Sequence, residues 1–71
     1  MDNRLPEQLL AFLKEDKQKE YTYQDLAYVF QVEKHDIIEA VNSLFFNGDI
    51  EYEAVAGLEN GDYLIRFEVK G

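Results

Sequence analysis

From Leu5 onward, apolar residues recur at helical spacing: Leu5, Leu9, Phe12 and Leu13 fall in one arc at about 100° per residue, with Leu10 at its flank. Pro6 stands where an opening helical turn accepts proline, and Glu7 lies near the positive end of the helix. The pattern predicts a first helix from about Leu5 to about Lys14. Lys14–Glu20 has no apolar residue and reads as a solvated connection. Tyr21-Thr22-Tyr23-Gln24-Asp25 then carries a start signal. Thr22 can accept from the backbone of the first turn while Asp25 reaches back, as in a capping box. Tyr23, Leu26, Ala27 and Phe30 share one face of the short helix that follows, and Phe30-Gln31-Val32 breaks its period. A third helix is expected over Glu33–Asn47, with Ile37, Ala40, Val41, Leu44 and Phe45 on one side and Gly48 supplying a left-handed stop.

After Gly48 the period changes from 3.6 to 2. Ile50, Tyr52, Ala54 and Ala56 alternate with Glu51, Glu53 and Val55, and Tyr63, Ile65, Phe67 and Val69 alternate with Leu64, Arg66, Glu68 and Lys70. Asn60-Gly61 between the two runs is a hairpin signal, because both turn residues tolerate positive φ. A two-residue turn there sets Tyr52 against Val69, Ala54 against Phe67 and Ala56 against Ile65 on the core side. The outer side then pairs Glu51 with Lys70, Val55 with Arg66 and Glu53 with Glu68. A longer loop around Gly57–Gly61 is the alternative.

Seventy-one residues, 46% of them hydrophobic, suffice for one domain with one small core, spanning 1–71. The absence of cysteine removes disulfides and thiolate metal sites. The start Met-Asp-Asn-Arg lacks the apolar run of a signal peptide, and no stretch approaches a membrane span, so a soluble, cytoplasmic protein with no membrane partner is expected. Charge narrows the picture further. Seven Lys and Arg against fifteen Asp and Glu give −8, and residues 21–71 hold only Lys34, Arg66 and Lys70 against ten acids. A field of that sign repels nucleic acid and anionic membrane at long range.

Three helices followed by a hairpin, with the second and third helices joined by a tight turn, resemble the winged helix-turn-helix family. The resemblance covers nearly the whole chain. Asp25-Leu26-Ala27 looks like the family's acidic-Leu-Ala start to its second helix, and Val32 like its buried turn residue. Ile37, Val41 and Leu44 match its inward positions, while Gly48-Asp49-Ile50 looks like its Gly-x-Ile step into the wing. The implied fold is α+β, a three-helix winged helix-turn-helix with a C-terminal two-stranded β-hairpin wing. In DNA-binding members the third helix enters the major groove. Carried over position by position, the groove side here is Lys34, His35, Glu39, Asn42, Ser43 and Phe46, with Asp36 beside them. The chain departs from that pattern in three places. Glu33 stands where a small hydroxyl residue usually caps the helix, Gln31 where many relatives have Gly in the turn, and the wing tip Gly57–Asp62 has two acids and no base.

One lysine and one Asn against Asp36 and Glu39 is a poor set for reading bases or neutralising phosphates. Lys14, Lys17 and Lys19 could supplement it, but Glu15, Asp16 and Glu20 are interleaved with them. Phe46 is an unusual feature, nearly opposite Ile37 on the helical wheel, in the sector of His35, Glu39 and Asn42. Either the hairpin or the chain end covers it, or it meets a partner or a second copy. Tyr28 and Val29 on the second helix point outward in a similar way. His35 is the only histidine, so no zinc site forms, and no carboxylate spacing suits calcium. The single Ser43 lies mid-helix with no base to activate it, and no glycine-rich phosphate loop exists, so no enzyme activity, catalytic residue or cofactor is expected. The expected function is non-enzymatic contact with a protein bearing a basic surface, in transcription or its regulation, through Phe46, Tyr28, Glu39, Asn42 and His35. The alternatives are a DNA-binding regulator using Lys34, His35, Asn42 and Ser43, or an acidic DNA mimic. A homodimer is compatible with either.

Overall fold

A computed structural model describes residues 4–16 and 19–70. Its elements run α1 (Leu5–Glu15), β1 (Glu20–Tyr21), α2 (Tyr23–Phe30), α3 (Lys34–Phe46), β2 (Ile50–Gly57) and β3 (Tyr63–Val69). The class is α+β: three helices cover an antiparallel sheet of strand order β1-β3-β2. The expected two-stranded hairpin is thus a three-stranded sheet. The added strand joins the last residue of the connection read as solvated to the first of the expected helix start signal, with Glu20 opposite Arg66 and Tyr21 opposite Ile65. Two residues are too few to show a period of 2, so the strand leaves no pattern in the sequence. Lys17 of the expected lysine group lies outside the described residues.

The helix ends follow from local chemistry. At α2, the Asp25 N–H donates to Thr22 Oγ1 at 2.9 Å and the Thr22 N–H to Asp25 Oδ2 at 3.4 Å, completing the capping box. At α3, the Glu33 N–H donates to Asp36 Oδ2 at 3.3 Å, the reach-back half of a capping box in which Glu33 is the N-cap residue. Both α2 and α3 stop on the same double bond pattern. The Val32 and Gln31 amides donate to the Ala27 and Tyr28 carbonyls after α2, and those of Asp49 and Gly48 to Leu44 and Phe45 after α3. Each pattern needs a left-handed residue, supplied by Gly48 at φ 81° and by Gln31 at φ 55°.

The core is one cluster: Leu5, Leu9 and Leu13 of α1, Leu26 and Ala27 of α2, Ile37, Ala40, Val41 and Leu44 of α3, and Ile50, Ile65 and Phe67 of the sheet. Phe12 sits at the edge, its ring 5.5 Å from that of Tyr21 and 5.6 Å from that of Phe30, and so closes the seam between α1, β1 and α2. Phe45 departs from its expected place in the core arc and is 49% exposed. It lies in the last turn of α3, where the Tyr52 ring at 5.2 Å meets it edge-on.

The hairpin register also differs from expectation. Ile50 faces Val69, Tyr52 faces Phe67 and Ala54 faces Ile65, two positions from the pairing of a two-residue turn. The loop is longer because Asp62, the buried residue before β3, folds back on it. The Leu58 N–H donates to the Asp62 carbonyl at 2.8 Å, and the Asp62 N–H to Asn60 Oδ1 at 3.1 Å. A slip of two keeps the alternation of faces, so Ile50, Tyr52, Ile65 and Phe67 keep their inward side. Between Ala54 and Ala56 the register shifts at a bulge, which sets Ala56 opposite Leu64. Ala54, ahead of the bulge, and Ala56, beyond it, are both exposed instead of core-facing. On the outer face Glu53 lies opposite Arg66 and Glu51 opposite Glu68, with Lys70 reaching Glu51 diagonally at 2.9 Å.

A Cβ at Gly48 would meet nothing within 4 Å, so only the left-handed backbone opposes a side chain there. Gly48→Ala is expected to lower the unfolding free energy in urea by about 1 kcal/mol, and Gln31→Gly to raise it. Burial, helped by the neighbouring Tyr52 phenol, pushes the Tyr23 phenol above its usual 10.0. The folded chain therefore holds this proton longer than the unfolded one, and stability present below about pH 10 falls as pH rises beyond it. Denaturation midpoints measured across that range should decline, and Tyr23→Phe should flatten the decline.

Candidate functional site

Helix α3 divides cleanly because its buried residues all lie on one side. The opposite side carries His35, Glu39, Asn42 and Phe46 at spacings of 4, 3 and 4, a single exposed ridge beside the equally exposed Ser43. His35 to Phe46 is about 16 Å along the axis, three turns of helix. Phe46 is 90% exposed, so neither the hairpin nor the described chain end covers it. Tyr28 is 83% exposed on α2 and Val29 is half-exposed beside it. These two residues lie near the turn that joins α2 to α3, whereas Phe46 lies about 18 Å away along α3. They stand at opposite ends of the helix and do not extend one patch.

Each polar group expected to read DNA, apart from Ser43, already has a local partner. Lys34 is held by Asp62, whose side chain is buried and which also accepts from the Asn60 amide at 3.3 Å. This pair fixes the hairpin loop to the first turn of α3. His35 Nε2 lies 2.5 Å from Glu39 Oε2, and Nδ1 lies 3.5 Å from Asp36 Oδ1. The Tyr52 hydroxyl donates to Asn42 Oδ1 at 3.1 Å, while the same ring covers Phe45. The hairpin thus touches α3 at both ends, through Asp62 at the N-terminal turn and Tyr52 near the C-terminal one.

The remaining bases of residues 21–71 are paired as well. Arg66 lies between Glu20 at 3.3 Å and Glu53 at 3.6 Å, and Lys70 meets Glu51. An open depression of about 280 Å³ on the sheet is lined by Glu51, Tyr52, Glu53, Arg66 and Glu68, three carboxylates around a guanidinium that is already paired. Among the described residues no group of three His, Asp or Glu side chains is placed to hold a metal ion. No described helix is long and apolar enough to cross a membrane.

Asp62 and Tyr52 were not among the residues singled out from sequence. Asn60-x-Asp62 does carry the signature of a side-chain-closed turn. Its link to Lys34, 28 positions away, follows only from the path of the hairpin. Comparison with protein-family models, with curated proteins and with solved structures finds no match to this chain.

Removing the Asp62 carboxylate leaves Lys34 without its partner and frees the loop. Asp62→Ala is expected to cost about 1–3 kcal/mol in urea denaturation. Amide exchange should quicken in residues 58–62 while the α1 amides stay protected.

Proposed function

We propose that this chain is a winged-helix protein that acts, without enzymatic activity, by contacting another protein through α3 and the adjoining hairpin. The support for the fold is the order of elements: a three-residue turn between α2 and α3, and a hairpin that leaves α3 and returns along it to its N-terminal turn. A setting in transcription or its regulation rests on that likeness alone. The partner presents a basic surface.

One observation carries the choice of a protein over DNA. The only base in α3, Lys34, is occupied by Asp62, while the exposed ridge offers Glu39 and the 90% exposed ring of Phe46. Non-specific DNA affinity comes almost wholly from releasing counterions as phosphates are neutralised. A helix whose one lysine is already paired, flanked by Glu33, Asp36 and Glu39, has little to release and a like charge to overcome. An apolar ring ringed by polar residues is the usual composition of a protein contact.

The test is fluorescence anisotropy of a labelled mixed-sequence duplex, titrated with the protein at about 20 mM and about 150 mM salt. No binding at either concentration is expected. Binding that collapses between the two would establish a cationic face and replace this reading with that of a DNA-binding regulator.

A further inference from the structure

Asparagine followed by glycine occurs twice in the chain, at Asn47-Gly48 and at Asn60-Gly61, with both residues of each pair exposed. Such a pair is chemically labile, because glycine has no side chain to keep its amide nitrogen from the preceding side-chain amide carbon. The two copies differ in what holds them. Asn47 is the C-cap of α3, where the Gly48 and Asp49 amides donate to the Phe45 and Leu44 carbonyls. Leu44 and Ile50 on either side of it are buried in the core. Asn60 lies at the tip of the hairpin, between the half-exposed Leu58 and Tyr63. There every group that the reaction uses is engaged. The Gly61 N–H donates to the Leu58 carbonyl at 3.1 Å, Asn60 Oδ1 accepts from the Asp62 N–H at 3.1 Å, and Asn60 Nδ2 donates to Asp62 Oδ2 at 3.3 Å. Asp62 is itself held by Lys34 of α3.

We propose that Asn60 is a site of spontaneous deamidation, gated by the Lys34–Asp62 pair, and that its conversion unfastens the hairpin loop from α3. The co-reactant is water. Once the loop opens, base removes the Gly61 amide proton and the nitrogen attacks Asn60 Cγ. The new N–Cγ bond closes a succinimide ring, the Cγ–Nδ2 bond breaks, and the departing nitrogen takes its proton from water and leaves as ammonia. Water then opens the ring at either carbonyl. The product is aspartate or, with the backbone rerouted through Cβ and Cγ, isoaspartate. Opening at Asn60 peels back a loop whose flanks are already in solvent, whereas opening at Asn47 has to draw Leu44 or Ile50 out of the core. The folded chain therefore exposes the first pair to reaction far more often than the second. Conversion also prevents the loop from closing as before. The new carboxylate has no N–H to offer Asp62 Oδ2, and it sets a like charge beside a buried one whose single cation is Lys34. An open loop reacts, and a reacted loop stays open.

The experiment is incubation of the full chain in mildly alkaline buffer, with peptide mapping at each asparagine for the mass gained when NH2 becomes OH. Asn60 should convert at least about tenfold faster than Asn47 in the folded protein, and the two should converge in strong urea, where sequence alone sets the rate. Lys34→Ala should quicken Asn60 at least about threefold while Asn47 keeps its rate, which separates loop opening from a loss of global stability. That variant leaves the loop more negative, and negative charge alone would slow removal of the Gly61 proton, so only opening produces the increase. Asp62→Ala should quicken Asn60 as well. The converted chain, separated by anion exchange, should show faster amide exchange over residues 58–62 than the unconverted chain, with the α1 amides equally protected. No conversion at Asn60, conversion at Asn47 as fast as at Asn60, or a Lys34→Ala rate at or below that of the unaltered chain would each overturn the proposal. Unchanged exchange over 58–62 after conversion would overturn the unfastening. These outcomes do not depend on what α3 contacts.

Discussion

The inward side of α3 organises the rest of the molecule. Ile37, Ala40, Val41 and Leu44 lie in the same cluster as Leu9 and Leu13 of α1, Leu26 of α2, and Ile50 and Phe67 of the sheet, and no second core exists among the described residues. A chain of this length without disulfides has to satisfy all of its helices and its hairpin with that one cluster. Because the four buried positions fall on one side of a regular helix, what stands opposite is fixed as well. Phe46 faces water for the same reason that Ile37 does not.

Charge works on this frame by local accounting. Residues 21–71 contain three bases, and each is tied to a nearby carboxylate: Lys34 to Asp62, Arg66 to Glu20 and Glu53, Lys70 to Glu51. The exposed pairs contribute little to stability one at a time. Their larger consequence is electrostatic, since they use up the positive charge where it could have gathered and leave the acid excess on α3 without a counterweight. Lys34 shows the difference between composition and surface. Counted in the sequence it is a candidate phosphate contact, but in the fold it anchors a loop.

Much of this was legible beforehand, and the division between legible and hidden has a physical basis. Helix limits are local: the Thr22–Asp25 box, the left-handed Gly48 and the 3.6-residue spacing each act within a few positions, and the structure places them as read. The inward alternation is readable for Ile50, Tyr52, Ile65 and Phe67, where one buried face imposes it, but not for Ala54 and Ala56, which lie exposed. The register was not, since it depends on how Asp62 and Asn60 close the loop, and a slip of two leaves the same alternation behind. Phe45 was misplaced because it sits at the edge of its arc, where exposure depends on whether the hairpin reaches that far. β1 and the Lys34–Asp62 pair are contacts between distant parts of the chain, and no local pattern encodes them. The exposed ridge residues were identified, while the two residues that hold Lys34 and Asn42 were not.

The bulge at Val55 has a consequence of another kind. β2 lies at the edge of the sheet, and from Ala54 to Gly57 it carries no charge while remaining exposed. A flat, uncharged edge of that length is a template on which strands of other molecules can stack. The extra residue interrupts the ladder in the middle of this run and increases the local twist, while Glu51 and Glu53 guard the stretch before it. The hairpin arm can therefore project a β-prone segment into water and still discourage the growth of aggregates at a high local concentration of the protein.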